Sequence, residues 1–308
     1  MRSIDSNFKK RRSFIKLGIA AATILLMIGS AFTALYSFPA LAERLPVMNS
    51  LFKYFSFEHG YGGNFENYTQ VINEVKKDKD YEVKINEIVM DEFRFKIIYT
   101  IKSPVKVSQL IQQQGNTFPR TPGKSIKLNG KSFLGGAGGT EKIIEEYSIQ
   151  VMEDYDIKKM NIPDHFNIEI DFNEINNING MWKFNFSASK EQIKKDIKTY
   201  SPNIDAKVKN EIGKEISIKF EKISFSPIAT SLLIKLDSDL ELQALNLFIK
   251  DNNGSIYAPQ DYSLNSTNAI KWTGLIRFKP ITEIPEKLIV EYLDGVSAQP
   301  QTIELMLK

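Results

Sequence analysis

Along most of this chain apolar and polar residues trade places at every second position, the period of a strand with one face in a core. Phe93, Phe95, Ile97, Tyr99 and Ile101 alternate with Arg94, Lys96, Ile98, Thr100 and Lys102, which predicts a half-buried strand with its aromatic face inward. The Val- and Ile-rich run Tyr81–Met90 precedes it, and Asp91-Glu92 punctuates the two into a hairpin. The residues from Pro104 to Ser125 read as loop, and Asn129-Gly130 is the strongest short hairpin signal in the chain. The glycines 135, 136, 138 and 139 predict another turn. Alternation resumes at Tyr147, Ile149 and Val151, at Phe166 to Phe172, and at Trp182, Phe184, Phe186 and Ala188. A first, mostly antiparallel β domain is therefore expected.

Ser189–Tyr200, rich in lysine, predicts a short charged helix or an extended connector ended by Pro202 and Asn203. Beyond it lie about seven further strands in about 95 residues, a count and spacing that suit an immunoglobulin-like sandwich. Their apolar positions include Ile216, Ile218, Phe220, Leu232, Ile234, Leu236, Leu247, Ile249, Leu288 and Ile303.

One stretch has a different texture. From Leu17 to Ala42 there is no charged residue, and its first 22 residues end at Phe38. As a helix they would be roughly 33 Å long, enough for a bilayer core of roughly 30 Å. Lys9, Lys10, Arg11, Arg12 and Lys16 stand before it, and basic flanks stay cytoplasmic, so everything after the span is expected outside the cell membrane. Arg11-Arg12 with Phe14 and Lys16 also fits a twin-arginine export signal, and Ala40-Leu41-Ala42 fits a signal-peptidase site. Cleaved signals carry about 7 to 15 apolar residues, so the length favours a retained anchor over cleavage after Ala42. Just beyond, Pro46 could open a helix with Val47, Leu51 and Phe55 on one face, either resting on the outer leaflet or closing one end of the next domain.

The fold class expected is thus mainly β: one transmembrane helix followed by two immunoglobulin-like antiparallel β-sandwich domains. Its parts are a basic cytoplasmic tail over 1–13, the span over 14–38, a juxtamembrane segment over 39–67, and sandwiches over 68–200 and 208–308.

Charge narrows the functions. The net charge is +3, but residues 1–16 hold six of the 40 basic side chains and one of the 37 acids, leaving 34 against 36. No basic surface remains for nucleic acid, which is excluded as a partner. With no cysteine and two histidines, His59 and His165, thiolate sites, a lipoprotein anchor and a His-rich zinc site are excluded.

Candidate chemistry is thin. Pro122-Gly123-Lys124-Ser125 resembles the end of a phosphate loop, but Phe118 stands where the first glycine belongs and a strand follows. Asp251, Asn253 and Gly254 faintly match a calcium loop, and a hairpin turn explains them better. The acid pairs Asp91-Glu92, Glu145-Glu146 and Glu153-Asp154 could serve as acid and base, yet such pairs are ordinary on solvated loops. Trp182 and Trp272 are expected as core residues. No catalytic, cofactor-binding or metal residue is assigned, and no cofactor is expected.

Several stretches, in order, resemble the membrane-anchored, anti-sigma-factor-related proteins of Gram-positive spore-forming bacteria. They are FPALAERLPVMNSLFKYF from Phe38, YEVKINEIVMDEFRFKIIYTIKS from Tyr81, GMWKFNFSASKEQIKKDIKTYSPN from Gly180 and ISFSPIATSL from Ile223. The resemblance implies a pair of extracytoplasmic immunoglobulin-like domains linked to regulation of an extracytoplasmic-function sigma factor. That family often carries several dozen cytoplasmic residues, against about 13 here, so any link to a sigma factor is expected to be indirect. The expectation is a non-enzymatic, membrane-anchored sensor or interaction protein. Its partners would be membrane lipid through the anchor and an envelope ligand or another membrane protein. The alternative is a twin-arginine-exported envelope enzyme or a structural surface module.

Overall fold

Two pairs of antiparallel sheets carry the chain, each pair closing on its own apolar core. The computed structural model describes residues 50–58, 62–113, 124–132, 137–210, 212–237, 247–268, 270–293 and 299–307. The expected span over 14–38 lies outside them. No helix among the described residues is long and apolar enough to cross a membrane.

The first half begins with helix α1 (Leu51–Glu58) and the strands β1 (Gln70–Asp78), β2 (Tyr81–Met90) and β3 (Arg94–Lys102). Helix α2 (Val107–Gln113) follows, within the stretch expected to be loop. It forms because Val107 and Leu110 can bury one face against the core. Next come β4 (Lys124–Leu128), β5 (Lys131–Ser132), β6 (Ala137–Glu145), β7 (Ser148–Asp156), β8 (His165–Ile175) and β9 (Ile178–Ser189). One sheet has the order β1-β2-β3-β7-β6 and the facing one β5-β4-β8-β9. Gly138 and Gly139, expected in a turn, instead start β6 and pair with Asp154 and Glu153.

Turn chemistry sets the register. Asn129 and Gly130 both have positive φ, 53° and 73°, the two-residue turn that matches strand twist. Asn176-Asn177 makes the same turn between β8 and β9, and Lys79-Asp80 between β1 and β2. The alternating apolar faces then meet in one core holding Phe95, Ile97, Tyr99, Ile168, Phe172 and Trp182. Trp182 is wholly buried and its Nε1 donates to the Tyr81 carbonyl at 3.0 Å. Gly180 makes room for it, since a Cβ there would fall 2.3 Å from the indole ring.

Helix α3 (Glu191–Asp196) leads into the second half. Its strands are β10 (Lys198–Tyr200), β11 (Ile204–Lys209), β12 (Glu215–Ser226), β13 (Ala229–Asp237), β14 (Leu247–Lys250) and β15 (Ile256–Tyr257), then β16 (Pro259–Asn268), β17 (Lys271–Phe278), β18 (Lys287–Tyr292) and β19 (Gln301–Met306). One sheet runs β10-β12-β13-β17-β16, with β11 also on β12; the other runs β15-β14-β18-β19. Three of these strands, β10, β11 and β16, were not legible as strands: β10 and β16 are mostly polar edge strands, and the alternation of Ile204, Ala206 and Val208 in β11 is brief and falls beside the connector. Trp272 is half-buried at the margin of this core rather than inside it, and its Nε1 has no partner among the described residues.

A glutamine clips the two sheets of each half together. Gln70 on β1 exchanges two hydrogen bonds with the backbone of Ser189 on β9. Gln301 on β19 does the same with Lys209 on β11, both at 2.8 Å.

A third apolar cluster sits on the outer face of the first sheet. Phe52 and Phe55 of α1 are fully buried there against Val89, Ile98 and Met152, with Ile193 of α3 and Ile228 of the second half. Phe52 and Phe55 therefore face protein, in keeping with a helix that closes the domain. Ser50 caps it by accepting from the Phe52 amide at 3.2 Å. Glu87 of β2 in turn accepts from the Ser50 hydroxyl and the Leu51 amide.

Candidate functional site

The most concentrated chemistry lies where the two halves meet. β3 was expected to be half-buried, yet Arg94, Lys96 and Ile98 on its polar face are buried as well. The reason is that the outer face of the first sheet is covered, by α1 in one part and by β12, β16 and β17 in another.

Asp154 on β7 is the centre. Its Oδ1 accepts from Arg94 Nε at 2.8 Å, and its Oδ2 accepts from Lys96 Nζ at 2.5 Å and from Arg277 Nη1 at 2.8 Å. Arg94 and Lys96 belong to the first half and Arg277, on β17, to the second. Arg277 also donates to Asp261 Oδ2 on β16 at 3.2 Å, and Arg94 Nη2 lies 3.6 Å from Asp261 Oδ1. Asp91, in the β2–β3 turn, is buried beside them; its Oδ1 accepts from the Phe93 and Arg94 amides. Three cations thus meet three carboxylates, so the desolvated cluster is formally neutral, the condition on which charges can be buried.

Burial alone would raise the Asp154 pKa, but Lys96, Arg277 and Arg94 outweigh it and hold the carboxyl well below the usual range. Asp91 goes the other way. Burial pushes it up, and Arg277 with two backbone donors offsets this only in part. Burial would also lower Arg277, yet Asp154, Asp261 and Asp91 keep it firmly charged.

Around this centre further bonds join the halves. Lys222 on β12 contacts Glu92. Ser263 on β16 donates to Asp156 Oδ2 at 2.8 Å and accepts from Lys158 Nζ at 3.1 Å. The Asn64 amide donates to the Pro227 carbonyl at 2.9 Å. The carboxylates of this arrangement are bonded to cations or to backbone amides. What it does is fix one half on the other.

The sequence candidates fall in different places. Asp91-Glu92 and Glu153-Asp154, expected on solvated loops, converge on the junction or the first core, whereas Glu145-Glu146 is exposed at the β6–β7 turn. The sequence held no signal for Arg277, because a lone arginine on an alternating strand looks like a solvated face. Lys124 opens β4 and contacts Glu153, so it is committed to the interior; Pro122-Gly123 and His59 lie outside the described residues. His165 is exposed, 3.2 Å from Glu191. Asp251 closes a hairpin turn by accepting from the Asn253 and Ser255 amides, both at 2.9 Å. Among the described residues no cluster of three metal-ligating side chains occurs.

Residues 9–103 match the model of a domain of unknown function, DUF4179, and residues 197–305 match a family of unknown function, DUF5643. No curated protein matches the chain. Among solved structures, the chain is similar to a conserved domain protein from Bacillus anthracis. The TM-score is 0.61 at 17% identity, over 85% of this chain and all of that one. The likeness is one of fold.

Proposed function

We propose that this protein is a non-enzymatic sensor or interaction module, anchored by residues 14–38 and working outside the membrane through its β region. Each half is read as an immunoglobulin-like sandwich, since each consists of two facing antiparallel sheets. The observation that carries the reading is the Asp154 cluster. Buried charges from both halves lock two β units into one body, which suits presenting a surface better than turning over a substrate.

The basic residues before the span suit anionic headgroups on the inner face, and the β region is the part read as meeting partners outside. Any effect on a sigma factor would then pass through another membrane protein. Two capture experiments test this, one with the tail alone as bait and one with the full-length chain in membranes. Capture of an envelope or membrane partner by the full-length chain only is the expected result. Capture of a sigma factor by the tail alone would overturn it.

A further inference from the structure

Lys124 and Glu153 meet inside the first half. Lys124 opens β4 in one sheet and Glu153 lies on β7 in the facing sheet, with side chains 9% and 14% exposed. The Lys124 Nζ touches Glu153 Oε2 and lies 5.0, 5.7 and 5.8 Å from the ring centres of Tyr99, Tyr155 and Phe172. A phenol meets each carboxyl oxygen. Tyr99 donates to Oε1 at 3.0 Å, and Tyr155 donates to Oε2 at 2.6 Å.

As an ion pair this contact stabilises little, because desolvation offsets the attraction. The same low polarity favours moving one proton from ammonium to carboxylate, leaving a neutral amine against a neutral acid. Burial lowers the Lys124 pKa even with Glu153 beside it. An amine held against a carboxyl group, with hydroxyl donors on both oxygens, has the parts that acyl transfer needs: proximity, and charge stabilisation at the developing oxyanion.

We propose that Lys124 and Glu153 condense into an intramolecular amide that crosslinks the two sheets of the first half. A proton passes from Nζ to Oε2, and the nitrogen lone pair then attacks Cδ. Negative charge collects on Oε1, where the Tyr99 hydroxyl stabilises it. A second proton leaves the nitrogen and reaches Oε2 through the Tyr155 hydroxyl, and Oε2 departs as water. One N–C bond forms, one C–O bond breaks, and no oxidant or cofactor is required. The chain has no cysteine, so this bond takes the place a disulfide would have between sheets.

Lys222 and Glu92 make the contrast. They touch in the same way, but their side chains are 28% and 32% exposed and Lys222 lies over a single ring, Phe93. Among the described residues no hydroxyl bonds to that carboxylate, and it stays an ion pair.

Intact-mass spectrometry of the full-length protein, purified in detergent, tests the proposal. The expected mass is about 18 Da below that of the sequence, the loss of one water, with a branched tryptic peptide joining the segments of Lys124 and Glu153. Lys124→Arg and Glu153→Ala should each restore the full mass. A wild-type mass equal to that of the sequence, or a deficit that persists in Lys124→Arg, would overturn it.

Discussion

Arg277 donates to Asp154 at 2.8 Å across 123 residues of sequence, and this bond passes from one half of the molecule to the other. Both side chains are buried, so neither can fall back on water when its partner is removed. Replacing Arg277 by Ala leaves Asp154 and Asp261 short of a cation; replacing Asp154 strands Lys96 and Arg94 as well. Each change should cost about 3 to 5 kcal/mol, the range for breaking a buried pair from one side. Denaturant unfolding should show this as a lowered midpoint. An unchanged midpoint for both variants would mean that the cluster is dispensable.

Acid should act through the same carboxylate. Asp154 titrates below its ordinary value of about 3.9, so its contribution is fully present above that pH and lost as pH falls through the depressed value. Asp91, raised by burial, contributes with the opposite slope. Urea midpoints compared at pH 5 and pH 3 should therefore fall less in Asp154→Asn than in wild type. Equal falls would assign the acid sensitivity to other groups.

The two tryptophans should differ. Trp182→Ala empties a fully buried site and removes the donor to the Tyr81 carbonyl, at a cost of about 3 to 5 kcal/mol. Trp272 is half-buried, and its loss should cost less. Gly180→Ala should displace the Trp182 ring and cost about 1 to 3 kcal/mol. The indole emission of the Gly180 variant reports on this directly. A blue-shifted, wild-type spectrum would show that the ring had not moved.

The hydroxyl of Ser50 both caps α1 and donates to the buried Glu87, so Ser50→Ala should cost about 1 kcal/mol or more. Hydrogen exchange at the Phe52 and Lys53 amides should quicken while the β3 amides stay protected. Unchanged exchange in α1 would assign its docking to Phe52 and Phe55 alone.

The inner strands of both cores were legible because alternation is a local property. Phe95 to Ile101 and Phe166 to Phe172 point inward as their period requires, whereas Phe93 falls in the turn before β3, under Lys222 of the second half. The junction was not legible, because it depends on which polar face another unit covers. Arg94, Lys96 and Asp154 look in sequence like the solvated side of a strand, and only the approach of β16 and β17 makes them interior. Likewise β16 has no apolar stripe to announce it; it is a strand because β17 offers an unpaired edge. Gly138 and Gly139 were assigned to a turn by composition, yet glycine is also tolerated on an edge strand such as β6.

The account rests on the β region lying outside an anchor that stays in place. Trypsin applied to intact cells, followed by mass spectrometry of the membrane fraction and of the released peptides, measures this most directly. The account predicts that peptides from β1 to β19 are released from unbroken cells while peptides upstream of Glu43 stay with the membrane. Peptides from the β strands that appear only after lysis, or a mature chain starting at Glu43 in the medium, would contradict it.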